Sequence, residues 1–300
     1  MDHIDTPIVA RRLGGALEPV IGAVYFSPEC HANYEALGFS ASPASVGGVA
    51  MPDGVAYAAS RGSLLGHVRG SVVAAAFAVF EPNAMARSAD AGWKLADAGT
   101  ICDARERGAV AQLERVLGRD PVGRDRIDAL LQVATKGLAM GPRALAAGAA
   151  SAPVLDHPLG RIFRHGDVLR EFRGDSHNAA WAAEGLDATE IGLLTELYWG
   201  LPLRSYTRTR GWSAEQFDRA EIALRERGAL DEAGAFTDAG RALREAIEVA
   251  TDAQMVPVLQ RLGDEVHELI ELLTPWGVAM RAAGAYLSSG PHDLAATHTP

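Results

Sequence analysis

The chain has 300 residues, of which 48% are hydrophobic and 22% charged. That composition supports one large domain or two ordinary ones with buried cores, and excludes long disorder. The net charge of −10 repels a phosphate backbone and sets nucleic acid aside as the default partner.

The cysteines, Cys30 and Cys102, are far apart and show neither a disulfide framework nor zinc-knuckle spacing, which points to a reducing cytoplasm. The opening MDHIDTPIVA is acidic where a signal peptide needs basic residues. Residues 7–26 read as an amphipathic helix that ends at Val24-Tyr25-Phe26. Glu18-Pro19 interrupts its apolar face, either lining a pocket or marking a surface kink. Ser27-Pro28-Glu29 combines a capping Ser, a Pro at the first helical position and an early Glu, so a new helix starts there and runs through His31 and Tyr34 towards Gly38. Residues 40–54 are rich in Gly, Pro and Ser and read as a loop. A short segment with Tyr57 and Arg61 leads into a buried helix over 65–80, whose apolar run from Gly70 to Phe80 is too short to span a bilayer. Further helices are expected over 83–93, 100–118 and 123–147. The small-residue stretch 146–158 reads as a linker, which divides the chain into a helical domain at 1–150 and a second domain at 158–290.

In that second part, Asp187–Glu190 and Ser213–Gln216 are capping-box patterns, each opening a helix. Gly228 sits where a glycine follows a helix end, and Asp231–Gly234 forms the turn of a short hairpin. Thr237 caps the next helix, one or two more fill 252–287, and 291–300 reads as a disordered tail.

Helix, helix, hairpin, helix is the order of a winged helix. LRERGAL at 224–230 and FTDAGR at 236–241 resemble the MarR-like pattern, in which the first marks the end of the recognition helix and the second follows the wing. The resemblance implies a mainly α fold: an N-terminal helical domain followed by a winged-helix module with a short β-hairpin wing. It also implies a regulator that binds DNA, with Arg204, Arg208, Arg210 and Arg219 as the candidate contacts. Against that stand Asp231 and Glu232 in the wing, and Glu215, Asp218, Glu221 and Glu226 on the helix, acidic groups where base or phosphate contacts need Arg, Lys, Asn or Gln. Most of the chain also resembles a family of actinobacterial helix-turn-helix proteins with no assigned activity. LEPVIGAVYFSPE, YAASRGSLLGHV, VVAAAFAVFEP and LREFRGDSHNAAW carry the likeness, although Phe172 stands where that family commonly has His.

RGDSH at 173–177 has two readings. Either Gly174 breaks one helix and Asp175 caps the next, or Arg170, Arg173 and His177 share one helix face and make a compact cationic site for a carboxylate or phosphate. Glu29 and His31 repeat the acid-x-His spacing of Asp175 and His177. Together the pairs suggest a metal site at His177 and His31, holding a divalent ion or haem, or an acid–base pair. Arg61 is expected to pair with an internal acid such as Glu18 or Glu29. No phosphate loop, dinucleotide fingerprint, HExxH, CxxC or nucleophile elbow is present. The site expected from sequence is therefore a small-molecule pocket between the N-terminal helices and RGDSH, with Tyr25, Glu29, Arg61, Arg173, Asp175 and His177 as ligand-binding residues. The protein is read as a cytoplasmic homodimer that binds a small molecule, either as a binding protein or as an enzyme, with no membrane partner.

Overall fold

The computed structural model describes residues 6–287, so the tail expected at 291–300 lies outside the described residues. The protein is mainly helical. Helix α1 (Thr6–Ile21) carries Pro19 in its last turn, and the chain tightens there into a 3-10 turn at Gly22–Phe26. The helix expected over 7–26 is thus two pieces. Ser27 then caps α2 (Pro28–Ala36) by accepting from Cys30 N at 3.1 Å. The expected loop holds a two-residue antiparallel pair, β1 (Ser45–Val46) and β2 (Val49–Ala50). Next come α3 (Gly54–Gly62), α4 (Gly70–Phe77) and α5 (Pro82–Gly92). Helix α4 starts at Gly70 rather than 65. Gly66, with φ 75°, ends the 3-10 turn before it.

Helix α6 (Ala98–Leu117) follows, and then the helix expected over 123–147 divides into α7 (Arg124–Thr135) and α8 (Ala144–Ser151). Helix α8 occupies the first part of the stretch read as a linker, through Ser151. Ala146 and Ala149 are fully buried, and small residues there let the helix backbone approach its neighbours. The largest correction concerns RGDSH. It lies inside one uninterrupted helix, α9 (Pro158–Ala183), so Gly174 breaks nothing.

The remaining helices are α10 (Ala188–Tyr198), α11 (Ala214–Glu226), α12 (Asp238–Ala253), α13 (Val256–Leu262) and α14 (Glu265–Ala282). Both expected capping boxes form, at Asp187/Glu190 and Ser213/Gln216. The hairpin between α11 and α12 consists of a single antiparallel bridge, Leu230–Phe236.

Helix α9 ties the molecule together. Its first part contributes Leu159, Ile162, Phe163, Leu169 and Phe172 to the main core, which also takes Leu13 and Ile21 from α1, Ile127 and Leu131 from α7, and Leu269 and Leu273 from α14. Its last part places Ala180 and Trp181 in a second core with Ile191 of α10, Phe217 and Leu224 of α11, and Ile247 of α12. At 26 residues the helix is about 39 Å long, enough to run through both. No helix among the described residues is long and apolar enough to cross a membrane.

Candidate functional site

Charged residues on α9 point into the protein, and each finds partners there. Arg61 of α3 grips Glu171 side-on, Nε to Oε1 at 3.0 Å and Nη2 to Oε2 at 2.6 Å. Arg170 donates to both oxygens of Glu18, at 2.9 and 3.2 Å, and to Glu171 at 3.1 Å. Tyr286 donates to Glu18 at 3.0 Å, and Tyr25 to Glu171 at 3.4 Å. Deeper in, Arg105 holds Asp167 through two bonds at 2.8 and 3.0 Å, and Arg164 pairs with Glu106. Burial alone would raise the Glu171 carboxyl. The guanidiniums of Arg61 and Arg170 outweigh it and hold the group below the ordinary carboxylate range.

A second network forms between α9, α1 and α12. Arg173 Nη2 donates to Glu248 at 2.9 Å and Asp252 at 3.2 Å. Arg11 bonds Asp252 and Glu245, each at 2.6 Å, and Arg244 pairs with Glu248 at 2.7 Å. Each network balances its charges. Arg61, Arg105, Arg164 and Arg170 face Glu18, Glu106, Asp167 and Glu171, and Arg11, Arg173 and Arg244 face Glu245, Glu248 and Asp252.

The two networks meet at a small cleft of about 130 Å³ between α1, α3, α9 and the start of α13. Leu17, Leu169 and Met255 supply apolar walls, Gly14 and Gly174 leave room, and Glu18, Arg61, Arg170, Glu171 and Arg173 supply the polar edge. Arg173 is 8% exposed, and its buried Nε has no hydrogen-bond partner among the described residues.

Of the residues expected at the site, Arg61 and Arg173 line this cleft together. Glu18, offered as either pocket-lining or a kink residue, lines it as well. Arg61 does pair with an internal acid, but with Glu171 rather than the two offered as examples: Glu18 bonds Arg170, and Glu29 is held at the surface by Arg115. Tyr25 lies one layer behind the cleft, its hydroxyl between Glu171 and Arg105, and burial pushes its phenol upward. Asp175 points away, accepting from Ala146 N of α8 at 3.0 Å. His177 packs towards α12, Nδ1 3.1 Å from Thr251 Oγ1, and burial pulls its pKa down to about 4. The expected cationic face of Arg170, Arg173 and His177 is therefore neutral in sum, since both arginines are ion-paired and the imidazole is uncharged. His31 Nε2 is 3.0 Å from the Tyr25 carbonyl oxygen. Among the described residues, no cluster of three His, Cys, Asp or Glu side chains is placed to hold a metal ion. Sequence reasoning missed Glu171 and Met255. For Glu171 the signal was present, since it sits between Leu169 and Phe172 on a helix with an apolar face. For Met255, which arrives from far along the chain at the start of α13, there was none.

A second, wider groove of about 760 Å³ separates α4 and α5 from α10 and α11. Gln216, Arg219, Ala220 and Ala223 of α11 look into it, opposite Ala74, Ala78, Asn83 and Ala86. Phe217 and Leu224 face the second core. Glu215, Ile222 and Glu226 are left on the outermost stripe of α11. The arginines weighed as DNA contacts are mostly engaged. Arg204 pairs with Asp218 and Glu221, Arg219 with Glu215, and Arg210 lies over Phe80 with its ring centre 4.4 Å away. Arg208 is exposed.

No curated protein and no solved structure matches the chain. A family model described as a helix-turn-helix family matches residues 10–287. With nearly the whole described chain inside that match, the protein belongs to this helix-turn-helix family.

Proposed function

We propose that the protein binds a small molecule in the cleft between α1, α3 and α9, and that its α10–α12 segment is a winged helix kept as a scaffold or dimerisation module. The observation that carries this reading is the cleft itself: a small concave space with apolar walls and a few convergent polar groups, the kind of lining that ligand sites have. Arg173 lines it and bonds its carboxylates through Nη2 alone, so the rest of its guanidinium adds donor capacity that a bound molecule would satisfy.

The rival reading is a MarR-like regulator that reads DNA through α11. It is favoured by family membership and by the order α10, α11, bridge, α12. Three features weigh against it. One flank of α11 faces α4 and α5 across the wide groove. Its outer stripe carries Glu215 and Glu226. Arg204 and Arg219 are already bound to carboxylates. A major-groove helix needs an open, basic or amide-bearing face.

Two measurements separate the readings. Fluorescence anisotropy on a random duplex and on a duplex from the protein's own promoter, at low and moderate salt, is expected to show no specific binding. A specific, salt-dependent complex would overturn the assignment of α11 as scaffold. The ε-methyl signal of Met255, assigned with Met255→Leu, is expected to move when compact organic probes are titrated in. A signal unmoved by any of them would overturn the binding site.

A further inference from the structure

We infer that the cleft takes a compact, uncharged molecule of about six heavy atoms with one hydrogen-bond acceptor, and not the anion that its arginines suggest. This inference rests on the reading of the cleft as a binding site.

Size comes from volume. A dry cavity of about 150 Å³ accepts benzene, and this cleft offers about 130 Å³. Ordinary drug-sized ligands need at least twice that space.

Charge comes from the balance of the networks. Arg61 already holds Glu171 through two bonds, and Arg170 holds Glu18 and Glu171. Arg173 is bound to Glu248 and Asp252. A carboxylate or phosphate entering here would bring a negative charge with no free positive partner, beside Glu18 and Glu171. Burying an uncompensated charge outweighs the hydrogen bonds it would gain, unless an existing pair breaks, and that leaves another charge alone. An ammonium group meets the same difficulty, because the carboxylates are equally engaged.

Polarity comes from Arg173. It lines the cleft, and among the described residues only its Nη2 is bonded, to Glu248 and Asp252, which leaves the rest of the guanidinium without an acceptor. A neutral carbonyl, ether or hydroxyl oxygen supplies the missing acceptor at no charge cost. Leu17, Leu169 and Met255 suit an apolar body.

Gly174 supports the same picture. It sits in the interior of α9, where glycine is unfavourable. A Cβ built on it meets only Glu171 Oε2, at 3.8 Å. No close packing in the protein requires the missing side chain, and the space it leaves belongs to the cleft.

The test uses the full chain with ¹³C-methyl methionine. Cyclopentanone, butyrate and benzene, all of about six heavy atoms, are titrated separately while the Met255 methyl is followed. Cyclopentanone is expected to bind about tenfold or more tighter than butyrate, and tighter than benzene. Gly174→Leu is expected to abolish the shift, and the milder Gly174→Ala to weaken it in a protein that still unfolds cooperatively. Butyrate binding as tightly as cyclopentanone would overturn the uncharged class and leave the binding site standing. Benzene matching cyclopentanone would overturn the role of the acceptor. Silence from all three probes would overturn the binding site itself. A shift unchanged in Gly174→Leu would place the ligand elsewhere.

Discussion

Asp175 caps a helix that is not its own. From the middle of α9 its Oδ2 accepts from Ala146 N, 3.0 Å away at the start of α8. Asp is a favoured cap because it satisfies orphan N–H groups in a helix's first turn. Burial nevertheless dominates its titration and raises its pKa from 3.8 to about 6. The folded state thus binds the proton more tightly than the unfolded chain, so Asp175 contributes stability at low pH that is lost as pH rises through about 6. Asp175→Asn keeps an acceptor and removes the titration. Urea midpoints are expected to show wild type losing ground to the variant between pH 3.8 and about 6, and no change above. A difference that stays flat across that window would show that the carboxyl is not so perturbed.

Cap signatures were legible in the sequence because each is local: Ser27, Asp187, Ser213 and Thr237 all cap as their spacing predicts. RGDSH was not, because Gly-Asp has the form of a helix boundary and only tertiary packing keeps α9 running through it. Glycine there costs about 1 kcal/mol of helix propensity, which burial of Leu169, Phe172 and Trp181 readily outweighs. The same limit hid the site. Arg61 visibly needed an acid, but choosing Glu171 over Glu18 or Glu29 requires knowing which helices touch. The small residues at 146–158 were ambiguous for a similar reason: close helix packing and flexible linkers use the same alphabet.

His177 titrates in the opposite sense to Asp175. Its imidazole is driven by burial from 6.5 to about 4, so the unfolded chain takes up a proton first. Its contribution is present above about 6.5 and is lost as pH falls through that value towards 4. The size is at most about 3 kcal/mol, from the width of the shift. The ring C–H resonances of His177 are expected to stay at their neutral positions down to pH 5. Titration near the ordinary imidazole value would show an accessible, chargeable ring, and would revive it as an anion or metal ligand.

Glu171 is the hinge of the central network. Glu171→Gln removes the charge that faces Arg61 and part of the charge around Arg170, while keeping the shape. Stranding a buried guanidinium in this way costs about 3–5 kcal/mol. Replacing both members, as in Arg61→Met with Glu171→Met, removes the charge and its counter-charge together. The double variant is expected to lose less than the sum of the single losses, with a coupling of about 1–3 kcal/mol in a denaturation cycle. Additive losses would mean that the pair is not energetically linked, despite its side-on geometry.

Gly148 and Gly174 give opposite expectations for the same substitution. In α8, a Cβ on Gly148 would lie 2.1 Å from the Leu64 carbonyl oxygen. The atom it meets is backbone, and a Cβ has no rotamer, so the contact cannot be relieved by a side-chain change. Gly148→Ala must push α8 away from the turn at Ser63–Leu65, and overpacking of this kind costs about 1–3 kcal/mol. In α9, a Cβ on Gly174 has only the Glu171 carboxylate within reach, at 3.8 Å. Gly174→Ala should therefore recover about 0.5–1 kcal/mol of helix stability while intruding on the cleft. Paired urea titrations decide the matter: one variant should unfold earlier than wild type and the other later. If Gly174→Ala instead destabilises the protein, the cleft is too tightly closed to admit even a methyl group, and a ligand there would have to displace packed side chains.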